Sequence, residues 1–216
     1  MRILVISAHP DDEVIGAGGT LARHVAHGDD VYWCVVTEGY NPPWPPEVLA
    51  EARKQAYAVQ RLLGIRQVLF CGFPTVKLNT VPSIELTSAL QTVVDDVRPD
   101  IVYTTPYCDV NLDHRVVCEA TIVATRPLPG CSVKRLLSYE IAPTTRFGLQ
   151  PFTPNVYVDI SAFLDKKLEA MSCYKTELRE FPHPRSLRGL ELLARERGLG
   201  IGVEAAECFQ LIREVV

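Results

Sequence analysis

The chain has no apolar stretch long enough to span a bilayer, and no block of like charges of the kind that clings to nucleic acid or an anionic membrane. Its 22 Lys and Arg are outnumbered by 26 Asp and Glu, giving a formal net charge of −4, which argues against a nucleic-acid partner. There is no Cys-x-x-Cys pair, and the 7 cysteines are an odd number. That pattern speaks against a thiolate zinc site or a disulfide framework and for small buried thiols in a reducing compartment. Internal repeats, low-complexity segments and a signal-peptide cleavage pattern are also missing. From Met1-Arg2 the chain enters a strand-like run directly, so a cytoplasmic location is expected.

What remains is an ordinary globular composition of 216 residues, 47% hydrophobic and 22% charged, sized for one domain over residues 1–216. Strand-like runs at Arg2–Ser7, Asp30–Thr37, Arg66–Cys71, Ile101–Thr105, Lys134–Glu140 and Asn155–Asp159 are rich in Val, Ile, Leu and Tyr. Helix-like stretches fall between them at Val14–His27, Pro46–Leu63, Ser83–Val97 and His114–Thr125. This alternation predicts an α/β fold with a mostly parallel sheet, its first four strands buried on both faces. Ser83 reads as a helix N-cap, and Gly28 and Gly64 as helix stops. A further helix is expected from Ser161 to Arg179. The segment Pro182-His183-Pro184-Arg185 reads as a turn, followed by a helix over Leu187–Arg197 and a final apolar run at Phe209–Ile212. The cluster Gly16-Ala17-Gly18-Gly19 lies too far past the first strand to cradle a phosphate and fits close helix-on-sheet packing instead. His24 and His27, on the first helix and at its end, read as surface or C-terminal helix charges.

Chemistry gathers at Ala8-His9-Pro10-Asp11-Asp12-Glu13, where a histidine and adjacent carboxylates follow a buried strand. Burying such charge without a partner is costly, and a metal ion supplies one. A hydrolytic zinc needs about three protein ligands and a position open to water. His9 and Asp12 can face one point if the chain turns there. The fourth strand leads into Asp109-Val110-Asn111-Leu112-Asp113-His114. First and fourth strands of a doubly wound sheet flank its switch point, so His114 is expected to arrive as the third ligand. Two histidines and a carboxylate suit zinc, one ion per chain. Asp113 reads as a helix cap or as the group fixing a histidine tautomer. Asp11 is left over as a general base for water, and the set predicts hydrolysis of an amide or ester.

The motif His9-Pro10-Asp11-Asp12-Glu13 with the later Asp113-His114-Arg115 resembles the PIG-L/LmbE-like zinc-dependent N-deacetylases. Weaker points of likeness follow in order: Glu51-Ala52-Arg53, Ser138-Tyr139-Glu140, Gly202 and Ala206-Glu207-Cys208-Phe209. The resemblance implies a Rossmann-like three-layer sandwich with helices on both faces of the sheet. It also implies removal of acetyl groups from N-acetylglucosamine-type sugars, including glycolipid and low-molecular-weight thiol precursors. Carried over by motif position, His9, Asp12 and His114 become metal ligands, Asp11 the base and Arg53 a substrate contact. Many relatives carry a histidine where this chain has Asn111. Asparagine can donate a hydrogen bond to an oxyanion but exchanges no proton near neutral pH, so proton return to the amine would fall to Asp11.

Trp44, in the loop Asn41-Pro42-Pro43-Trp44-Pro45-Pro46, offers an apolar face for a sugar ring. Tyr139 and Glu140, at a strand end, are further candidates for lining the pocket. The expected partner is thus a small-molecule N-acetyl amino sugar or glycoconjugate. Alternatives are a zinc amidohydrolase for a non-sugar amide and a silent nucleotide- or sugar-binding protein. The acceptor and the oligomeric state, a homo-oligomer included, stay open.

Overall fold

A computed structural model describes residues 1–216. The strands are β1 (Arg2–Ser7), β2 (Asp30–Glu38), β3 (Gln67–Pro74), β4 (Ile101–Thr104), β5 (Arg135–Tyr139), β6 (Val156–Asp159) and β7 (Ala206–Glu214). They form one sheet in the order β3-β2-β1-β4-β5-β7-β6. Pairings among β1 to β5 are parallel, while β7 runs antiparallel to both β5 and β6. The helices are α1 (Asp12–Ala26), α2 (Pro46–Leu63), α3 (Ser83–Val97), α4 (Leu112–Ala124), α5 (Leu164–Ser172) and α6 (Leu187–Leu199).

Strand periodicity builds the layers. In β1, Ile3 and Val5 point into a core shared with α1, α2, α5 and α6, whereas Leu4 and Ile6 enter a second core with α3 and α4. Both faces of the sheet are therefore covered, as the expected three-layer sandwich requires. Strand order reverses between β1 and β4, which opens a crevice at their C-terminal ends.

Helix α1 is held to the sheet by contacts that demand glycine. A Cβ on Gly16 would lie 2.2 Å from the Tyr139 ring, and one on Gly19 would lie 2.8 Å from Ile160. A buried ion pair then reaches into the helix backbone. Lys167 Nζ donates to Glu207 Oε1 at 2.5 Å and to the Ile15 carbonyl at 2.7 Å, while Glu207 accepts from the N–H groups of Gly19 and Thr20. Gly28 and Gly64 follow α1 and α2 with φ of +83° and +73°, the left-handed stop expected of them.

Several details depart from the sequence expectation. Strand β3 is half-exposed along its length because it is an edge strand, with a neighbour on one side only. Ser83 is the first helical residue of α3 and makes no side-chain cap; Pro82 occupies the cap position. The helix expected over Ser161–Arg179 is only α5, preceded by a short 3-10 turn at Ser161–Phe163. His24 is not a surface charge. Its Nδ1 lies 2.7 Å from Asp29 Oδ2 and its Nε2 lies 3.0 Å from the buried Tyr103 hydroxyl. The cysteines are free thiols, with Cys34 and Cys71 in sulfur contact at 3.5 Å between β2 and β3.

Candidate active site

The turn after β1 delivers the first group of side chains into the crevice. Asp11 precedes α1 with φ +107°, a conformation rare for a residue with a Cβ, and its carbonyl accepts from the N–H groups of Val14 and Ile15. Its own N–H donates to Glu13 Oε2 at 3.1 Å, and Glu13 Oε1 takes the Tyr174 hydroxyl at 2.5 Å. Such strain persists only where the surroundings over-determine it, and here the fixed turn aims Asp11 and Asp12 at the same space. The loop after β4 supplies the second group. Asn111 caps α4 by accepting from the Asp113 N–H at 3.0 Å, which fixes the first turn carrying His114.

The two groups converge. One donor atom each from His9, Asp12 and His114 lies within 4.8 Å of the others, with Asp12 and His114 buried. His114 Nε2 faces His9 Nδ1 and Asp12 Oδ1, each at 3.3 Å. The remote ring nitrogens are held by carboxylates: His9 Nε2 is 3.1 Å from Asp113 Oδ2, and His114 Nδ1 is 3.0 Å from Asp109 Oδ2. Asp113 is itself fixed by the N–H groups of Val76 and Leu78, and Asp109 by the Thr144 hydroxyl. A carboxylate behind each histidine is the usual outer arrangement of a metal site.

Electrostatics point the same way. Burial works to lower the His9 pKa, but hydrogen bonds to Asp113 and Asp12 outweigh it and carry it up to about 10. Burial opposes His114 likewise, and Asp12 with Asp109 pushes it up to about 9. Asp12, despite its burial, is held well below the usual carboxylate range by the two histidines. Asp11 behaves oppositely: burial and the Asp12 charge push it up to about 7, against the pull of Arg185. Neither Asp12 Oδ1 nor Asp11 Oδ2 receives a hydrogen bond. Each meets only a charged nitrogen at 3.3 Å, His114 Nε2 and Arg185 respectively, and Asp12 with the two histidines forms a donor set that fits a divalent cation. Ligation needs both rings neutral, so uptake of a cation would release protons.

His9 and Asp11 open onto a cavity of about 400 Å³ lined also by Asn111, Arg53, Trp44 and Arg185 among others. Asn111 donates its side-chain NH2 to no protein atom, which leaves that donor free at the cavity. Arg53 is clamped by Glu38 through hydrogen bonds of 2.6 and 2.8 Å and lies over the Phe70 ring. Trp44, also in the lining, stands edge-on to Tyr40. Tyr139 and Glu140 do not reach the cavity. Tyr139 is fully buried, with its hydroxyl donating to the Ile6 carbonyl, because β5 is covered there by α1. Glu140 turns away and binds Arg197 of α6 at 2.7 and 2.9 Å.

Sequence reasoning passed over Asp109 and Arg185. Asp109 lies in the β4–α4 loop, and its spacing ahead of His114 is the signal the sequence offers for it. Arg185 had no signal beyond its place in the Pro-rich turn. It arrives from far along the chain to pair with Asp11 at 3.3 Å and with Glu177 at 2.9 Å.

Comparison with known proteins agrees with this geometry. The profile of the PIG-L family, described as GlcNAc-PI de-N-acetylase, matches residues 4–125, which carry the whole His-Asp-His cluster. The chain belongs to the PIG-L family. It is 28% identical over 180 residues to an uncharacterized deacetylase of Escherichia coli K12, covering 81% of this chain and 90% of that one. It is 27% identical over 205 residues to the diacetylchitobiose deacetylase of Thermococcus kodakarensis, covering 83% and 71%. Membership in this family makes the protein an N-deacetylase-type hydrolase. The fold alone is broader. A 4-carboxy-2-hydroxymuconate hydratase of Pseudomonas putida KT2440 superposes with a TM-score of 0.81 at 20% identity, covering 100% of this chain and 97% of that one. Function is therefore set by the site and not by the fold alone. No helix is long and apolar enough to cross a membrane.

Proposed function

We propose that this protein removes the N-acetyl group from an N-acetylglucosamine-type amino sugar or glycoconjugate, releasing acetate, with one zinc ion per chain held by His9, Asp12 and His114. The observation that carries the reading is the convergence of those donors on one point beside the carboxylate of Asp11, next to a substrate-sized cavity that His9 and Asp11 line. Among relatives, the Thermococcus kodakarensis protein is named for deacetylating diacetylchitobiose, which supports an amino-sugar substrate.

When bound, zinc would act as a Lewis acid toward the scissile carbonyl and make a neighbouring water more acidic. The chain's own residues do the rest. Asp11 accepts a proton from the attacking water as its oxygen bonds to the amide carbon. The free NH2 of Asn111 donates to the oxygen on which negative charge develops. Collapse breaks the C–N bond, and Asp11 returns its proton to the departing nitrogen, leaving a free amine and acetate. Asp113 and Asp109 take no proton in this scheme; they hold the two imidazoles in place. Arg53 and Trp44 line the cavity as contacts for the sugar.

Acetate release should be measured with zinc-loaded protein across N-acetylated sugars and peptides, with metal content determined in parallel. The reading expects release from an amino sugar that is abolished in Asp11→Asn at unchanged zinc stoichiometry. Full activity in Asp11→Asn, or release from peptides alone, would overturn it.

A further inference from the structure

We propose that the outer half of the cavity is an aglycone subsite built for an uncharged, apolar group, so that the amino sugar is presented as an alkyl or aryl conjugate rather than as a phosphate or carboxylate ester. This rests on the deacetylase reading and names the substrate class within it.

The apolar lining is assembled from α2, the loop before it, β3 and the turn that follows β3. Val48, Leu49 and Ala52 of α2 line the cavity together with Trp44, Phe70 and Val76. Val48 is 38% exposed and Val76 is 71% exposed, so these side chains meet water at the mouth rather than filling a core. They share one lining with Trp44, Leu49, Ala52 and Phe70, and an apolar lining rimmed by polar groups marks a ligand-binding groove. The wall is also rigid. Prolines flank Trp44 on both sides, its ring is set against Tyr40 at 5.5 Å, and Leu49 closes on Gly39 where a Cβ would lie only 2.6 Å away.

Charge excludes the alternative occupants. The arginines and lysines lining the cavity are Arg53 and Arg185 alone, and both are engaged. Arg53 makes a two-pronged contact with Glu38, and Arg185 lies between Glu177 and Asp11. Lys77 caps the Tyr40 ring at 4.2 Å and is not part of the lining. With Asp11, Glu38 and Glu177 facing those two cations, the walls carry no surplus positive charge. A phosphate or carboxylate on the aglycone would meet two cations whose charge is already balanced by three carboxylates, and would add a further anion beside them. An apolar aglycone disturbs neither pair and covers the exposed Val48 and Val76.

The test compares hexyl, methyl and uridine-diphosphate conjugates of N-acetylglucosamine as substrates of the zinc-loaded protein. Binding of the corresponding free amines is followed in parallel by tryptophan fluorescence, which needs no turnover. Each methylene fully buried is worth about fourfold, so partial burial of a hexyl chain should raise kcat/KM over the methyl glycoside by about tenfold or more. The amines should bind in the same order, with the nucleotide conjugate weakest. Val48→Asp, at an exposed position, should shrink the hexyl-to-methyl ratio in both readouts. A flat ratio, or a preference for the uridine-diphosphate conjugate, overturns the apolar subsite even if acetate is released. Tighter binding of the hexyl amine without acetate release from any conjugate would keep the subsite and overturn the deacetylase reading instead.

Discussion

Removing the Asp113 carboxylate should weaken both the metal site and the fold, by amounts its contacts allow one to work out. Asp113 accepts from the Val76 N–H at 2.6 Å and the Leu78 N–H at 3.3 Å, and it steadies His9 Nε2 at 3.1 Å. Burial works to raise its pKa, yet His9 and those N–H groups hold it below its ordinary 3.8, so the ionised form is net stabilising. Because the folded pKa is depressed, that contribution is present above 3.8 and is lost as the pH falls through the lower folded value. In Asp113→Ala the Leu78 N–H is stranded, while the Val76 N–H, at the rim, can recover water. With hydrogen bonds to charged groups contributing about 1.5–3 kcal/mol each, the two N–H contacts carry about 3–6 kcal/mol, less what the Val76 N–H recovers from water. Val76 is β-branched and sits at φ +59°. Freed of its anchor, it relaxes and recovers part of a strain of about 1–3 kcal/mol, which brings the net loss toward about 2 kcal/mol. Loss of a carboxylate behind a ligating histidine typically costs about 10–100-fold in metal affinity. Urea titration of the metal-free protein and competition for zinc against a chromophoric chelator measure the two effects separately. Asp113→Asn keeps one oxygen for the loop N–H groups, so it should spare more stability than affinity. An alanine variant within about 0.5 kcal/mol of the parent, the range of ordinary surface substitutions, and with unchanged zinc affinity would refute the reasoning.

Other outcomes follow from the framework around the site. Burial works to raise the pKa of Glu140, but Arg197 holds it below its ordinary 4.5; that stabilisation is complete above 4.5 and lost as the pH falls through the depressed value. Glu140→Gln should therefore flatten the acid limb of stability, read as urea midpoint against pH, and leave KM unchanged because Glu140 lies outside the cavity. Lys167→Met strands the buried Glu207 charge and should cost about 3–5 kcal/mol, whereas the double variant Lys167→Met/Glu207→Gln should lose less than the sum of the single changes. Calorimetry on the set would decide it. Gly16→Ala drives a methyl into the Tyr139 ring, so overpacking of about 1–3 kcal/mol should outweigh the usual helix gain of about 0.5–1 kcal/mol and lower Tm.

Local signals carried much of the fold. Alternation of Val- and Ile-rich runs with longer amphipathic stretches specified the layers, and glycine marked the ends of α1 and α2, because backbone freedom is a property of the residue itself. Errors fell where a neighbour decides. The β3 run is as apolar as a central strand, but its place at the sheet edge leaves it half-exposed. Ser83 has the chemistry of a cap, yet the chain enters α3 with Pro82 in that position. Tyr139 and Glu140 end a strand beside the crevice, but α1 covers the first and Arg197 turns the second away.

The sequence alone determined the residue types and the places where chemistry could occur. A histidine and three acids after the first buried strand, and an Asp-His pair after the fourth, come together only if those strands lie side by side. The tertiary structure decided how the groups serve one another. It set Asp113 behind His9 and Asp109 behind His114, brought Arg185 from the distant turn to Asp11, and paired both cavity arginines with carboxylates. Spacing along the chain constrains which residues can share a turn. Contacts between residues far apart in sequence are fixed only when the packed layers hold their elements at specific distances, and the charge balance of the cavity is set by those contacts.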